Sequence, residues 1–433
     1  MAGQGTGEGA GVFYGWWVVA AGMVVLSAQG VMFYGFGIMF PAVIAEFHWS
    51  RALTSSVYSV QMSVNSLFIL LMGWLIDRFS PRLIIGLGAL CLGFGMAASS
   101  LTREIWHLYL FFGLVVGIGT SAMYVPPITV VTRWFEKRRG FALGLTVTGI
   151  GIGGFIGSPF FNGLIQAFGW RTALPILGLS LGAVVLGAAL IMTGRPEDKG
   201  LRPYGLEGAR PSAGPDLRAG SFEQAGSPAE EKSPNWTVRE AIRTRPFILL
   251  FVMFFCAELA LVGVMAHLFT YATENGLPNH LASWAYGLIG VTSLAGKIGM
   301  GALSDRIGRK TVFILAFGLK GTAFLLLLPQ PSALTLFLFA ALLGLSYGGW
   351  TPIFPAVLGD YFGLASMGRI FSILTINFLL GGVCGPVLAG WIFDRQGSYW
   401  TAFAIFSAAS YLSMLLAVFL SPPNRPLDGR VRV

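Results

Sequence analysis

Lys297 is the one charged residue in the apolar run WAYGLIGVTSLAGKIGMG, from Trp284 to Gly301. An ammonium group in a hydrocarbon-spanning segment is costly unless it faces a cavity, a partner or an anionic ligand. Ser283, Tyr286, Gly290, Ser293, Lys297 and Gly301 recur at steps of three or four, so on a helix they form one stripe. Small and polar residues beneath a buried cation suit the wall of a cavity that receives a carboxylate. The competing account pairs Lys297 with a structural carboxylate or lets it snorkel toward Asp305, about 12 Å further along a helix.

A second group lies in the segment around FFCAELALVG. Glu258 and His267 are nine residues apart, about 180° around a helix, so both cannot face one central cavity. Glu258 is the deeper and is a candidate proton carrier or partner for Lys297. His267 shares a face with Tyr271 and Glu274 and is expected nearer the outer mouth, as a hydrogen-bonded structural residue. Gln29, Gln61, Asn65, Thr120, Tyr124, Tyr347, Thr351 and Asn377 are further polar residues inside apolar runs. Tyrosines suit carboxylate recognition, because the hydroxyl donates while the ring packs on an acyl group. The expected substrate-binding set is Lys297, Tyr124, Tyr347, Gln29, Ser293, Tyr286 and Asn377, with Glu258 or Lys297 carrying a proton.

These residues need helices to place them, and composition says of what kind. The 433-residue chain is 55% hydrophobic and only 11% charged, against about 25% charged in soluble domains. It therefore reads as an integral membrane protein. A span takes about 20 apolar residues, and twelve such segments are expected, with centres near Leu26, Asn65, Leu92, Gly119, Gly153, Val184, Ala260, Gly296, Phe317, Ser346, Leu380 and Tyr411. The long apolar runs exclude a β-barrel of short alternating strands. One long polar stretch, 194–244, is rich in Pro, Gly, Ser and charge and reads as a flexible linker with little core. A short interfacial helix is expected at its Thr237–Ile242 end. The organisation is thus an N-terminal six-helix bundle (1–193), a linker (194–244) and a C-terminal six-helix bundle (245–433).

With both termini and the linker on one side, that side holds 22 of the 28 Lys and Arg residues, and the opposite loops hold four. The positive-inside rule makes the linker side cytoplasmic. The net charge of +9 is then a topology signal, and nothing supports nucleic-acid binding. Cys91, Cys256 and Cys384 all fall in spans, so no disulfide framework is implied. The start, MAGQGTGEGAG, lacks a basic region before the first apolar run and does not read as a cleaved signal peptide.

An internal repeat fixes the architecture. Gly73-Trp-Leu-Ile-Asp77-Arg78-Phe-Ser-Pro-Arg82 follows span two, and Gly301-Ala-Leu-Ser-Asp305-Arg306-Ile-Gly308-Arg309-Lys310 follows span eight. Trp134-Phe135 matches Tyr361-Phe362, and Pro159/Gly163 matches Pro386/Gly390, at nearly the same offset. The form G-x-L-x-D-R-x-G-R-K between spans two and three resembles the signature of the major facilitator superfamily. The second copy is nearly complete, whereas the first has Ser80 and Pro81 where Gly and Arg are usual. The resemblance implies an all-α membrane protein, twelve transmembrane helices in two pseudo-symmetric six-helix bundles. The bundles would alternate access to a site near the midplane, lined chiefly by spans one, four, seven and ten. Asp77, Arg78, Asp305 and Arg306 are expected to gate, by charge-assisted bonds made in one state and broken in the other. Gly149-x-Gly151-x-x-Gly154 fits a dinucleotide fingerprint, but it lies inside a span beside Gly153-x-x-x-Gly157, where close helix packing explains it better.

Within that superfamily, Tyr14-Gly15-Trp16-Trp17 and Trp134-Phe-Glu-Lys137-Arg138-Arg139-Gly-Phe-Ala142-Leu-Gly144-Leu resemble the monocarboxylate transporter family. Its bacterial relatives include oxalate/formate-type exchangers. The resemblance implies that a cation in span eight binds the substrate carboxylate, and Lys297 falls on that position. Lysine replaces the usual bidentate arginine, and Ser293 stands where many members carry an aspartate.

The leading expectation is a proton-coupled carrier of lactate- or pyruvate-like monocarboxylates in a cell membrane, a bacterial inner membrane by its compact loops. Anion exchange of the oxalate/formate type is the alternative. Drug/proton antiport is disfavoured because Gly157-Ser158-Pro159 breaks the Gly-Pro motif of that class. A non-transporting receptor is disfavoured by the lack of large soluble extensions. Nothing resembles a catalytic triad, a metal cluster or a phosphate loop, so neither an enzyme nor a cofactor is expected. The partners would be a small carboxylate, protons and membrane lipid, acting on a monomer with or without an accessory subunit.

Overall fold

The computed structural model describes residues 13–205, 236–363 and 367–423, and they form helices, turns and loops with no strand among them. The side chain of Asp77 and residues 206–235 of the linker lie outside the described set. Twelve membrane-scale helical segments follow one another. In the first half they are α1 (Tyr14–Phe47), α2 (Arg51–Arg78), α3 (Pro81–Ser99), α4 (Ile105–Trp134), α5 (Arg139–Phe168) and α6 (Trp170–Ile191). In the second half they are α7 (Arg245–Glu274), α8 (Asn279–Ile307), α9 (Arg309–Leu325), α10 (Ala333–Phe362), α11 (Met367–Gln396) and α12 (Trp400–Val418). Eleven of these are long and apolar enough to cross a membrane. The remaining one, α9, has 17 residues, so the expected span near Phe317 is present but short.

Local chemistry sets the helix ends. Ser50, Ser80, Thr244 and Ser332 sit at N-caps, and their hydroxyls accept from Leu53, Leu83, Phe247 and Thr335, which satisfies otherwise orphan backbone donors. The two copies of the repeated loop turn by different means. In the second, Gly308 adopts φ +86° between α8 and α9, a conformation that a side chain would strain. In the first, Ser80 caps α3 and Pro81 takes its first turn, where a missing N–H costs nothing. The departure of Ser80-Pro81 from the usual motif is thus a second solution to the same tight turn. Two spans are broken at midlength: α4 at Tyr124, just before Pro126 and Pro127, and α10 at Thr351-Pro352.

Glycines let the helices approach backbone to backbone. A Cβ on Gly149 or Gly153 of α5 would lie 2.2 Å or 1.9 Å from the carbonyl oxygens of Met23 or Ser27 on α1. On Gly151 it would meet Gly290 of α8 at 2.7 Å, and on Gly157 it would meet Val31. The glycine pattern that imitates a dinucleotide loop is therefore spent on packing. In the second half, a Cβ on Gly348 of α10 would stand 1.9 Å from the Ser293 carbonyl oxygen and 2.8 Å from the Lys297 nitrogen. That contact fixes the height of Lys297 against α10.

Both ends of the linker are docked, contrary to a uniformly flexible segment. Pro196–Lys199 forms a single turn, and the Tyr204 backbone pairs with Trp134 and Phe135. At the other end Trp236 is buried, its N–H donating to the Phe362 carbonyl, and Val238–Ala241 is a short helix capped by Thr237. Aromatic side chains hold each end to its own bundle.

Gly348→Ala is expected to lower unfolding stability by about 1–3 kcal/mol, because the added methyl must push α8 and α10 apart. Gly144→Ala, where nothing lies within 4 Å, should be neutral or stabilising. Equal thermal shifts for the two purified variants would refute this account of the α8–α10 contact.

Candidate functional site

The two halves meet through α2 with α11, α5 with α8, and α1 with α7. Among the described residues, every hydrogen bond, ion pair and ring contact between halves lies from midlength toward the side opposite the linker. On α2 the series Arg51, Ala52, Ser55 and Ser59 bonds to Asp394, Pro386 and Val383 of the second half. Phe155 packs on Trp284, and Tyr34 on Tyr286. Toward the linker no such contact joins described residues of the two halves across the expected central cleft.

The outer closure centres on Arg51, which the sequence marks only as an outer-loop charge. The backbone N–H groups of Arg51 and Ala52 donate to the two carboxylate oxygens of Asp394, at 2.8 and 2.9 Å. A carboxylate from one half thus caps a helix of the other, where the helix dipole favours it. The Arg51 guanidinium pairs with Glu274, stacks 3.5 Å from the Phe393 ring centroid, and donates to the Tyr399 hydroxyl at 2.7 Å. Burial pushes the Tyr399 phenol well above its usual range, so it stays protonated and can donate in turn. Its partner is His267, 3.0 Å away at Nδ1, whose Nε2 donates to the Pro386 carbonyl at 2.9 Å. A carbonyl only accepts, which assigns the proton to Nε2 and leaves Nδ1 of the neutral ring to accept. His267 is accordingly a fully buried, fully bonded residue of the closed side.

Of the residues expected to gate on the linker side, the Asp77 side chain lies outside the described set. Asp305 and Arg306 are exposed and make no ion pair among the described residues. The Arg78 guanidinium lies 4.1 Å over the Trp74 ring. The ion pair that does form nearby joins Arg309 to Asp360 at 2.6 Å, inside the second half.

At midlength the expected site residues divide. Lys297 is half-buried, its Nζ lies 5.9 Å from the Tyr347 ring centroid, and it makes no ion pair among the described residues. Tyr347 stacks on Phe33 of α1, 6.3 Å between centroids, and so roofs the cleft from both halves. Gln29, one turn from Phe33 on the same face, keeps an unpartnered Oε1. Tyr124, at the break in α4, is 37% exposed and within electrostatic reach of Tyr347. Lys297, Tyr347, Tyr124 and Gln29 therefore belong to one place.

Tyr286 and Ser293 do not join them. The Tyr286 hydroxyl donates to the Met265 carbonyl at 2.6 Å and accepts from Phe269 N–H at 3.3 Å, with no exposure. Ser293 is buried, and its hydroxyl returns to the Gly290 carbonyl at 2.7 Å. The stripe predicted on α8 is real as a helical face, but the crossings at Gly151 and Gly348 cover it above Lys297. As a correction, these two serve helix contacts here rather than the cleft.

Glu258 is 4% exposed, leaves Oε1 unpartnered and packs beneath Gly381 of α11. The cation whose charge acts on it is Lys320 of α9, not Lys297. Lys320 is fully buried, and its Nζ donates to the carbonyl of Ala257, the neighbour of Glu258. Its four-carbon stem runs inward across the bundle. The signal was present in the sequence, since FGLKGTAFL is as apolar as the run around Lys297. Asn377 is fully buried one turn from Gly381, and neither side-chain polar atom has a partner. An aromatic layer of Phe254, Phe317, Trp350, Phe354 and Phe378 underlies these polar residues.

Replacing Arg51 by Gln should weaken the outer closure by about 2–3 kcal/mol, as for other partly buried charges stripped of partners. With Cys91, Cys256 and Cys384 replaced by serine, Ser55→Cys should then react at least about tenfold faster with an impermeant maleimide. An unchanged rate would show that Arg51 does not hold this side shut.

Comparison with known proteins places this geometry. The chain matches the Major Facilitator Superfamily model over residues 22–279 and 260–432. It is 27% identical to monocarboxylate transporter 12 of Rattus norvegicus over 95% of this chain and 86% of that protein. It is 26% identical to monocarboxylate transporter 13 of the same species, covering 93% and 89%. Among solved structures it resembles a D323A mutant of the nucleoside transporter NupG, with TM-score 0.71, 12% identity and coverage of 93% and 99%. It also resembles a bacterial homologue of the human lysosomal transporter Spinster, described as inward-facing and unoccupied. That match has TM-score 0.65, 18% identity and coverage of 96% and 95%.

Proposed function

This chain belongs to the major facilitator superfamily, and we propose that it carries small monocarboxylates of the lactate or pyruvate kind together with a proton. It is a multi-pass membrane transporter and not an enzyme. The observation that carries the finer reading is Lys297: a cation at midlength of an apolar helix, facing the Tyr347 ring, with no carboxylate paired to it among the described residues. A buried ammonium group in that setting attracts an anion that can come and go. Tyr124, Tyr347 and Gln29 supply further polar contacts, and Phe33 and Tyr347 supply apolar surface for a short acyl chain. The names of the two rat relatives agree with a monocarboxylate substrate.

In this reading residues 1–193 and 245–433 rock about the linker, and the arrangement seen is open toward the linker. That side is the cytoplasm by its excess of Lys and Arg, which puts both termini there. The relatives named above are animal proteins, so a bacterial inner membrane rests on loop compactness alone. Glu258 is the proton site, because a carboxyl group with a free oxygen and one nearby cation can exist charged or neutral at modest cost. A second reading, exchange of organic anions in the oxalate/formate manner, draws on the same unpaired Lys297 and on Ser293 at the usual aspartate position. It requires no proton.

Uptake of labelled lactate into proteoliposomes separates these. An inward proton gradient should drive accumulation by the parent, and Lys297→Ala should reduce uptake about 10- to 100-fold, the worth of a charge-assisted hydrogen bond. Uptake by Lys297→Ala equal to the parent would sink the carboxylate site. Glu258→Gln should keep lactate/lactate exchange but lose accumulation, and full gradient dependence in that variant would remove Glu258 from proton coupling. Exchange indifferent to pH in the parent would favour the second reading.

A further inference from the structure

A cavity of about 660 Å³ lies at the linker end of the first bundle, away from the central cleft. It is walled by the α2–α3 turn, the end of α4 and the first residues of the linker. Among the described residues its lining is lopsided in charge: Arg78, Arg82, Arg195 and Lys199 face one carboxylate, that of Asp198. That carboxylate is occupied, since it accepts the Arg195 backbone N–H at 3.1 Å and closes the Pro196–Lys199 turn. Arg78, Arg82, Arg195 and Lys199 make no ion pair among the described residues. Arg82 spends one N–H on the Thr193 hydroxyl at 2.7 Å, and Lys199 lies 4.1 Å over the Tyr14 ring. Both contacts fix a cation in place while leaving its charge uncompensated. The N-terminus of α3, capped by Ser80, adds its partial positive charge to the rim.

A second feature says what kind of anion fits. From this rim Phe79, Leu83, Leu87 and Leu90 descend along one face of α3, each about half exposed. The steps of four and three keep the leucines in line, while the opposite face of α3 packs on α6 and α4. A basic concavity at the end of a span, continued by an apolar track along the helix, matches a molecule with an anionic head and hydrocarbon tails. Basic pockets on the positive side of a membrane bind such headgroups. We propose that this cavity is a binding site for the headgroup of an anionic glycerophospholipid of the linker-side leaflet, with its acyl chains laid along Leu83, Leu87 and Leu90. The bound phosphate would join the α2–α3 turn to the start of the linker, two segments that otherwise touch through few polar contacts.

The full-length protein purified in detergent and mixed with equal amounts of dioleoyl-phosphatidylglycerol and dioleoyl-phosphatidylcholine provides the test. Native mass spectrometry should show one phosphatidylglycerol retained per chain, at least about tenfold over phosphatidylcholine. Arg195→Gln/Lys199→Gln changes two exposed side chains and should cut that retention roughly 30-fold, about a factor of five for each cation. Millimolar inorganic phosphate should not displace the lipid. Equal retention of both lipids by the parent, or of phosphatidylglycerol by parent and variant, would overturn the site. Displacement by inorganic phosphate would assign the cavity to a soluble phosphate and overturn the lipid.

Discussion

The carboxylate of Asp394 on the first two N–H groups of α2 is the contact on which this arrangement depends. It joins halves that, among the described residues, share polar bonds on one side alone, and it does so through backbone donors that no mutation of side chains can remove. Around it the Arg51 guanidinium reaches Glu274, Phe393 and Tyr399, and through Tyr399 the buried His267. Because Arg51 and Asp394 satisfy one another's surroundings across the divide, separating the halves exposes every member of the set together. Closure of this side is therefore a cooperative event with two outcomes.

Inside the spans a different constraint operates, since each buried charge must be matched or reachable. Lys320 and Glu258 lie close together in the second bundle, the Lys320 ammonium bonded to the carbonyl of Ala257 next to Glu258. Lys297, one helix away, has only the face of a tyrosine ring. A cation over a ring is partly stabilised, but the ring carries no formal charge, so an anion entering the cleft gains what the protein leaves unfilled. In the proposed function the three ionisable side chains divide the work: one couple for the proton and one site for the substrate anion.

Much of the architecture is legible along the chain, because hydropathy and the repeated G-x-L-x-D-R loop are local properties. The position of Lys297 was readable by the same means, being the lone charge in its run. Lys320 obeys the same rule, but the direction of its side chain, across to Ala257, is visible only in the structure. Arg51 and Asp394 are 343 residues apart, and no spacing rule relates them. Tyr286 and Ser293 lie on the expected face of α8, yet crossings at Gly151 and Gly348 cover them, and a stripe drawn on one helix does not say where its neighbours cross. The linker illustrates the same limit. Its composition is that of a flexible segment, but Tyr204 and Trp236 anchor both ends, and two aromatic residues hardly register in a polar average.

The contact of Gly151 with Gly290 has a mechanical consequence. Two bare backbones meeting at midlength interlock no side chains, so the crossing resists rolling and tilting far less than a ridge set in a groove would. Each helix extends roughly 17 Å on one side of it and roughly 26 Å on the other. A tilt of about 15° about such a point moves the helix ends by about 5 Å in opposite senses. That exceeds the reach of any hydrogen bond in the Arg51 set, while at the crossing itself almost nothing shifts. The glycine pair is placed to act as a fulcrum for the rocking that the proposed function requires.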